Sequence, residues 1–217
     1  MEQARKTRRW DFDMMQQYLR HRFLFEELVK RDFKKKYKRT VLGMAWSLLS
    51  PLLMLLVMKL VFTQFFGRTM EHYTIYLFCG NLVFSYFNES TSQGMTSLVN
   101  NAAIFTKVNI PKYLFLFSKN VQTLINFSLT LCIFFVFCGL DQILFTWKFL
   151  LLLYPVCLLV LFNIGVGLIL SALYVFFRDI QYLWGIFTQI LLYASAIFYT
   201  IDHLSLIHIS EPTRPER

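Results

Sequence analysis

The chain has 217 residues, of which 56% are hydrophobic and only 16% charged, with a formal net charge of +9. So little charge cannot clothe a soluble domain of this size, and the apolar residues fall in runs of about 20, the length that crosses ~30 Å of hydrocarbon. Composition therefore excludes a soluble enzyme and predicts an all-α, polytopic helical membrane protein.

The basic charge is concentrated at one end, with 13 of the 22 Lys and Arg in residues 1–40. A basic stretch directly before an apolar run reads as a cytoplasmic anchor on anionic membrane lipids, not as a nucleic-acid surface. No apolar stretch precedes residue 41, so no cleavable signal peptide is expected. Residues 14–38 place Met14, Tyr18, Phe25, Val29, Phe33 and Tyr37 on one broad helical face. Arg20, Lys30, Arg31, Lys34 and Lys38 take the other faces, the pattern of a helix lying in the membrane interface. Arg22 and Glu26 interrupt the apolar face, so a bend or a protein contact is expected there.

Five spans follow, at about 43–66, 75–98, 113–138, 148–176 and 182–201. Lys and Arg in the connections alternate in number: 17 fall on the side of the N-terminus and 2, Arg68 and Lys148, on the other. That bias predicts a cytoplasmic N-terminus. Lys59 lies inside the first span, where an ionisable residue is a functional candidate and a snorkelling side chain the alternative. The second span carries six consecutive polar residues, Asn88 to Gln93. Each polar group left unsatisfied in lipid costs several kcal/mol, so this run with Glu89 is expected to line a cavity or pack on protein. In the fourth span, Gly165, Gly167 and Ser171 permit close helix approach. Cys79, Cys132, Cys138 and Cys157 sit in apolar runs without ligand spacing, and His21 and His72 stand alone. They read as membrane-buried small hydrophobes and surface residues, so neither a metal nor a nucleophile–base pair is expected.

Residues 31–57, "RDFKKKYKRTVLGMAWSLLSPLLMLLV", resemble the membrane subunits of type-2 ABC exporters, in the branch that exports O-antigen, teichoic acid and capsular polysaccharide. The resemblance rests there on Arg31, Asp32, Lys36, Tyr37, Leu42, Gly43, Trp46 and Pro51. Three further motifs follow in family order: "NNAAIFTKVNIPKYLFLFS" (100–118), "GVGLILSALYVFFRDI" (165–180) and "ASAIFYTID" (194–202). It implies a homodimer in the bacterial inner membrane, joined on the cytoplasmic face by two ATP-hydrolysing subunits and moving a lipid-linked polysaccharide. Residues 1–40 would hold the family's interfacial helix, with Arg31, Asp32, Lys36, Tyr37, Gly43 and Trp46 forming that helix and its gate. Residues 98–111 would be the coupling helix that docks on the ATPase, through Asn100, Asn101, Ala103, Ile104 and Lys107, with Arg178 and Asp179 relaying the same motion. The family's channel is aromatic-rich, so Phe84 and Phe87 beside Glu89 are the expected sugar-stacking surfaces, with Lys59 a further channel candidate. The chain has no glycine-rich phosphate loop, so it needs no cofactor of its own, and ATP and Mg would belong to the partner subunit.

Residues 41–203 correspond to the family's transmembrane domain with five of an expected six spans, Ser195-Ala196 standing where the family often has Ser-Pro. The tail, 204–217, is expected not to be native: "LSLIHISEPTR" (204–214) resembles one reading frame of a transposase sequencing adapter. Two other functions remain open at this point, a type-2 exporter of drugs or small lipids and a membrane-embedded acyl- or glycosyltransferase. The second would need a His or Asp cluster on one membrane face, and no such cluster stands in the sequence.

Overall fold

A computed structural model describes residues 22–34, 43, 45–66, 72–107, 111–143, 146–195 and 197–198. The described residues form helices and turns without a strand. In chain order these are α1 (22–34), α2 (Ala45–Phe66), α3 (Tyr73–Asn100), the single turn α4 (Ala102–Phe105) and α5 (Tyr113–Leu140). A 3₁₀ segment (Trp147–Leu152) then leads into α6 (Leu153–Phe176), and α7 (Ile180–Ala194) follows.

Long apolar runs become helices because, away from water, only intrahelical bonding satisfies every backbone polar group of a single segment. Tyr113–Leu140 and Phe149–Phe176 are each long and apolar enough to cross a membrane, and Ala45–Val61 is a shorter apolar stretch. Two non-glycine residues in left-handed geometry, His72 and Gln142, mark the start of α3 and the turn after α5. Their ends are clasped by a 2.6 Å contact between His72 Nδ1 and Asp141 Oδ2.

The central element is α3, which packs most extensively on α5 and α6, with α2 and α7 against its flanks. Its contact with α6 is backbone on backbone: a Cβ placed on Gly94 would lie 3.3 Å from the Cα of Gly167. Glycine at both positions is what lets the axes approach this closely. Gly167 thus acts as the sequence predicts and Ser171 is buried, whereas Gly165 faces open space.

The bundle buries polar side chains among its apolar core and presents an apolar exterior. Ser90, Thr91, Asn120, Thr123, Asn163 and Thr188 are buried, while Leu60, Leu161 and Ile186 are 69%, 65% and 60% exposed. In water so extensive an apolar exterior would drive aggregation, and facing lipid it costs nothing. Trp184 Nε1 donates to Thr91 Oγ1 at 3.2 Å, tying α7 to α3.

The element edges fall close to the predicted ones, with two differences. The predicted span 182–201 ends as a helix at Ala194, and at ~1.5 Å per residue its 15 residues reach only about 22 Å. Beyond it Ile197 and Phe198 fold back onto the bundle, where Tyr73 Oη donates to the Phe198 carbonyl at 2.8 Å. Of the helix expected over 14–38, residues 22–34 are described, and its most buried residues are Leu28 and Asp32, with Leu24 and Phe25 packed beside Leu28. Leu28 packs on Leu114 and Phe115 of α5, so this helix is docked on protein along one face. Arg22 and Glu26, which break the apolar pattern, pair with each other at 3.1 Å on the exposed side. Residues 204–217, Lys36 and Tyr37 lie outside the described residues.

Candidate functional site: two joined polar cavities

α2, α3 and α5 enclose a cleft of about 460 Å³. Each helix contributes one face at helical spacing. Asn81, Ser85 and Glu89 come from α3, Thr123, Asn126 and Thr130 from α5, and Trp46, Ser50 and Met54 from α2. Pro51, also in the wall, gives α2 no backbone N–H at that level. Trp46 is 41% exposed, and Gly43, at φ 51, makes the left-handed turn that aims the start of α2. The Tyr86 ring stacks on Phe127, centroids 4.6 Å apart, and closes the inner wall. Its buried hydroxyl faces Asn163 and Ser90 but makes no hydrogen bond of good geometry, and neither does the fully buried Asn163 amide.

A second cavity, about 450 Å³, lies where α1 meets the end of α3 and the start of α5. Its hub is Asp32, buried on a helix whose other charged residues, Arg31 apart, are exposed. Arg31 reaches its carboxylate through Nε and Nη2 at 3.0 and 2.7 Å, and Lys119 Nζ approaches the other oxygen at 3.1 Å. The same Arg31 Nη2 donates to Asn101 Oδ1 at 2.8 Å, and Asn101 Nδ2 donates back to the Ser97 carbonyl at 2.8 Å. Gln122 Nε2 closes the knot on the Asp32 carbonyl at 3.3 Å. Two cations around one carboxylate satisfy the charge that burial would otherwise penalise, and the knot locks α1 to the α3–α4 corner and to α5. One bond links the two walls: Gln93, in the wall of the second, donates to Glu89 Oε1, in the wall of the first, at 2.9 Å.

The predicted residues separate into groups. Arg31 and Asp32 lie in the knot, Trp46 and Glu89 line the cleft, and Gly43 sets the turn before α2. Phe87 is buried against Phe162 and Trp184 and does not line the cleft. Two residues along a helix is a turn of about 200°, so Phe87 and Glu89 point apart. Phe84 follows Phe87, with ring centroids 6.0 Å apart, and packs beside Met58 and Ile197. Lys59 is exposed and lines neither cavity.

Within 98–111, α3 runs on to Asn100, and α4 supplies only one turn. Asn100, Ala103 and Lys107 face outward, while Asn101 is buried in the knot and Ile104 packs in the cluster with Leu28. Arg178 and Asp179 form the exposed turn between α6 and α7, with the Arg178 guanidinium 5.0 Å over the Tyr174 ring.

Sequence reading missed the α5 contribution. Lys119, Gln122, Thr123, Asn126 and Thr130 recur at three- and four-residue spacing within a hydrophobic span, the signature of one polar face turned inward. Counting Lys119 as a loop residue hid that stripe.

Residues 24–210 match the ABC-2 type transporter family. Among curated proteins the chain is similar to the O-antigen export system permease protein RfbA of Myxococcus xanthus, 28% identical over 191 residues, covering 87% of this chain and 73% of the relative. It is also similar to two proteins of that name from Klebsiella pneumoniae. These are 28% identical over 186 residues and 26% over 189, each alignment covering 83% of this chain and 71% of the relative.

Proposed function

We propose, from the premise that this chain belongs to the ABC-2 type transporter family, that it is the membrane subunit of an ATP-driven exporter of lipid-linked polysaccharide of the O-antigen kind. The observation that carries the reading is the pairing of an apolar exterior with an interior cleft where hydroxyls, amides and a carboxylate stand among aromatic and apolar walls such as Phe78, Leu82 and Phe127. Hydroxyls and amides both donate and accept, which is the complement of a sugar's own hydroxyls, and an apolar surface offers nothing to hold one. The relatives' names, O-antigen export permeases, support the same substrate class.

In this reading the chain spans the membrane several times with its N-terminus in the cytoplasm, and it works as a homodimer with two ATP-binding subunits. Those subunits hold ATP and Mg and dock on Asn100, Ala103 and Lys107 at the outward side of the α3–α4 corner. Their closure pushes on α4. The knot passes that displacement through Asn101 and Arg31 to Asp32 and α1, and through Lys119 and Gln122 to α5. Because α5 and α3 also wall the cleft, their relative shift changes its width. Coupling of this kind needs a rigid link between the driven element and the gated one, and buried, charge-assisted hydrogen bonds supply it.

The test is genetic and biochemical together. Affinity capture of the tagged chain should bring down an ATP-binding subunit when the two are co-expressed, and deleting the gene should leave the polymer inside the cell. Normal surface polysaccharide in the deletion strain would rule the assignment out.

A further inference from the structure

Resting on the membrane embedding of the chain and not on what it exports, we propose that the 3₁₀ segment before α6 is a lipid anchor. Trp147 lies in the headgroup layer of the leaflet opposite the knot, with Leu150 and Leu151 at the edge of the hydrocarbon beneath it.

Two polar levels fix where the bilayer sits on the bundle. Asn101, in the knot, caps one end of α3, and His72, clasped to Asp141, caps the other. Between them run the 28 residues of α3, about 42 Å at ~1.5 Å per residue. A bilayer is ~40–45 Å thick with its headgroup regions and ~30 Å without them. The knot and the clasp therefore fall at its two polar surfaces, which keeps the carboxylates of Asp32 and Asp141 out of hydrocarbon.

The register between α3 and α6 carries the level of the clasp across the bundle. Gly94 lies against Gly167, and the Phe87 ring stacks on Phe162, centroids 6.1 Å apart. The paired positions advance in the same direction with a nearly constant offset, so the two helices run parallel and in step. Carried back to His72, that offset arrives at the start of the 3₁₀ segment, where Trp147 stands. Leu150 follows about 6 Å nearer the core, at the ~2.0 Å per residue of a 3₁₀ turn. That is also about half the difference between the two bilayer thicknesses, which puts Leu150 where hydrocarbon begins.

Exposure and composition decide the occupant of this face. Trp147 is 88% exposed, more than any other large hydrophobic residue described. Phe149 turns inward, its ring 6.0 Å from that of Phe135 on α5, while Leu150 and Leu151 stay exposed. Their face continues into the exposed Leu153 and Leu158 of α6, part of the apolar exterior. An indole has an apolar body and one N–H donor, so it is best placed where water gives way to lipid. The order from indole to leucine along the bundle axis follows the polarity gradient of a lipid surface. A protein partner imposes no such order of depth.

The experiment is fluorescence quenching on the purified chain in phosphatidylcholine vesicles. The emission lost in Trp147→Phe is the share of Trp147, and this substitution should leave the melting temperature unchanged. We expect lipids brominated near the glycerol to quench that share more strongly than lipids brominated near the chain ends, and aqueous iodide to quench it weakly. Adding Leu151→Trp to Trp147→Phe moves the indole about 8 Å toward the core. Bromines at the middle of the chain should then become the better quenchers. Strong quenching by iodide alone would put Trp147 in water. Protection from every quencher, or a lower melting temperature in Trp147→Phe, would put it against protein, a second copy included. Either result, or an indole at 151 no deeper than the one at 147, overturns the proposal. None of them touches capture of an ATP-binding subunit, so the anchor can fail while the exporter reading stands.

Discussion

Gln93 hydrogen-bonds Glu89 at 2.9 Å, one helical turn apart on α3, and this bond links the walls of the two cavities. One side of it holds the charged knot around Asp32, and the other holds the α2–α3–α5 cleft. Gln93 thus stands in the wall of the knot's cavity while holding the cleft's carboxylate. Gln93→Leu keeps the helix and the approximate volume but deletes the donor. The bond is part-buried, so its loss should cost about 1 kcal/mol of stability or less. Export measured in cells should nevertheless fall several-fold with the subunit still assembled. Export at the unaltered rate would show that the bond is incidental to coupling.

The pair Lys119–Asp32 makes a stronger demand on stability. Both side chains are largely withdrawn from water, 17% and 2% exposed, with the charges 3.1 Å apart. Removing one partner of a buried ion pair typically costs ~3–5 kcal/mol, but Arg31 remains on the same carboxylate, so Lys119→Met should cost about 2 kcal/mol. Adding Asp32→Asn to Lys119→Met should recover part of that loss, because the stranded charge is then gone. Thermal denaturation of the four proteins in detergent measures the cycle. Simple additivity of the two changes would mean that the contact contributes nothing.

Gly94 and Gly165 differ in the same measurement. A Cβ on Gly94 meets the Gly167 backbone at 3.3 Å, so Gly94→Val must push α3 and α6 apart and lower the melting temperature. A Cβ on Gly165 meets nothing within 4 Å. Gly165→Ala should be neutral or gain up to ~1 kcal/mol from reduced backbone freedom. A larger loss at Gly165 than at Gly94 would contradict the helix crossing described.

Asn163 supplies an opposite expectation to the usual one for a buried polar residue. Both amide atoms are fully buried and without a partner of good geometry. An unmet buried amide lowers stability by about 1–3 kcal/mol, so Asn163→Leu, close in shape, should be neutral or raise the melting temperature. A marked fall would reveal a bonded role for the amide, such as a held water.

Hydropathy marks these helices to within a few residues because the membrane's thickness fixes their length and the absence of water fixes their bonding. It does not mark which way a side chain points. The polar run Asn88 to Gln93 reads correctly as unfit for lipid, yet the run wraps the whole helix. Glu89 reaches the cleft, Ser90 bonds Asn120, and Thr91 receives the Trp184 indole. Phe87 illustrates the same limit, being near Glu89 in sequence and opposite to it in space. The knot is less legible still, because Asp32, Asn101 and Lys119 meet only through tertiary packing. The pattern around Arg31 and Asp32 draws attention to those residues, and the stripe on α5 marks an inward polar face, but nothing local pairs them with partners 70 and 90 positions on.

The α3–α4 corner gives the last prediction, and the structure sharpens it. Sequence reading treats Ala103 and Ile104 as equivalent groove-filling residues of a coupling helix. They are neighbours on one helical turn and face different surroundings: Ala103 is exposed, while Ile104 packs with Leu28, Leu114 and Phe115. A charge at 104 must be buried against α1 and α5, and an unpaired buried carboxylate costs several kcal/mol. Ile104→Asp should therefore loosen the knot and destabilise the chain whether or not an ATPase is present. Ala103→Asp places its charge in open surroundings, where a surface substitution usually changes stability by no more than about 0.5 kcal/mol. If the outward side of this corner is the docking surface, Ala103→Asp alone should keep the melting temperature of the parent chain yet lose capture of the ATP-binding subunit. Capture as strong with Ala103→Asp as without it would place the docking surface elsewhere, with the exposed Arg178–Asp179 turn the next segment to alter.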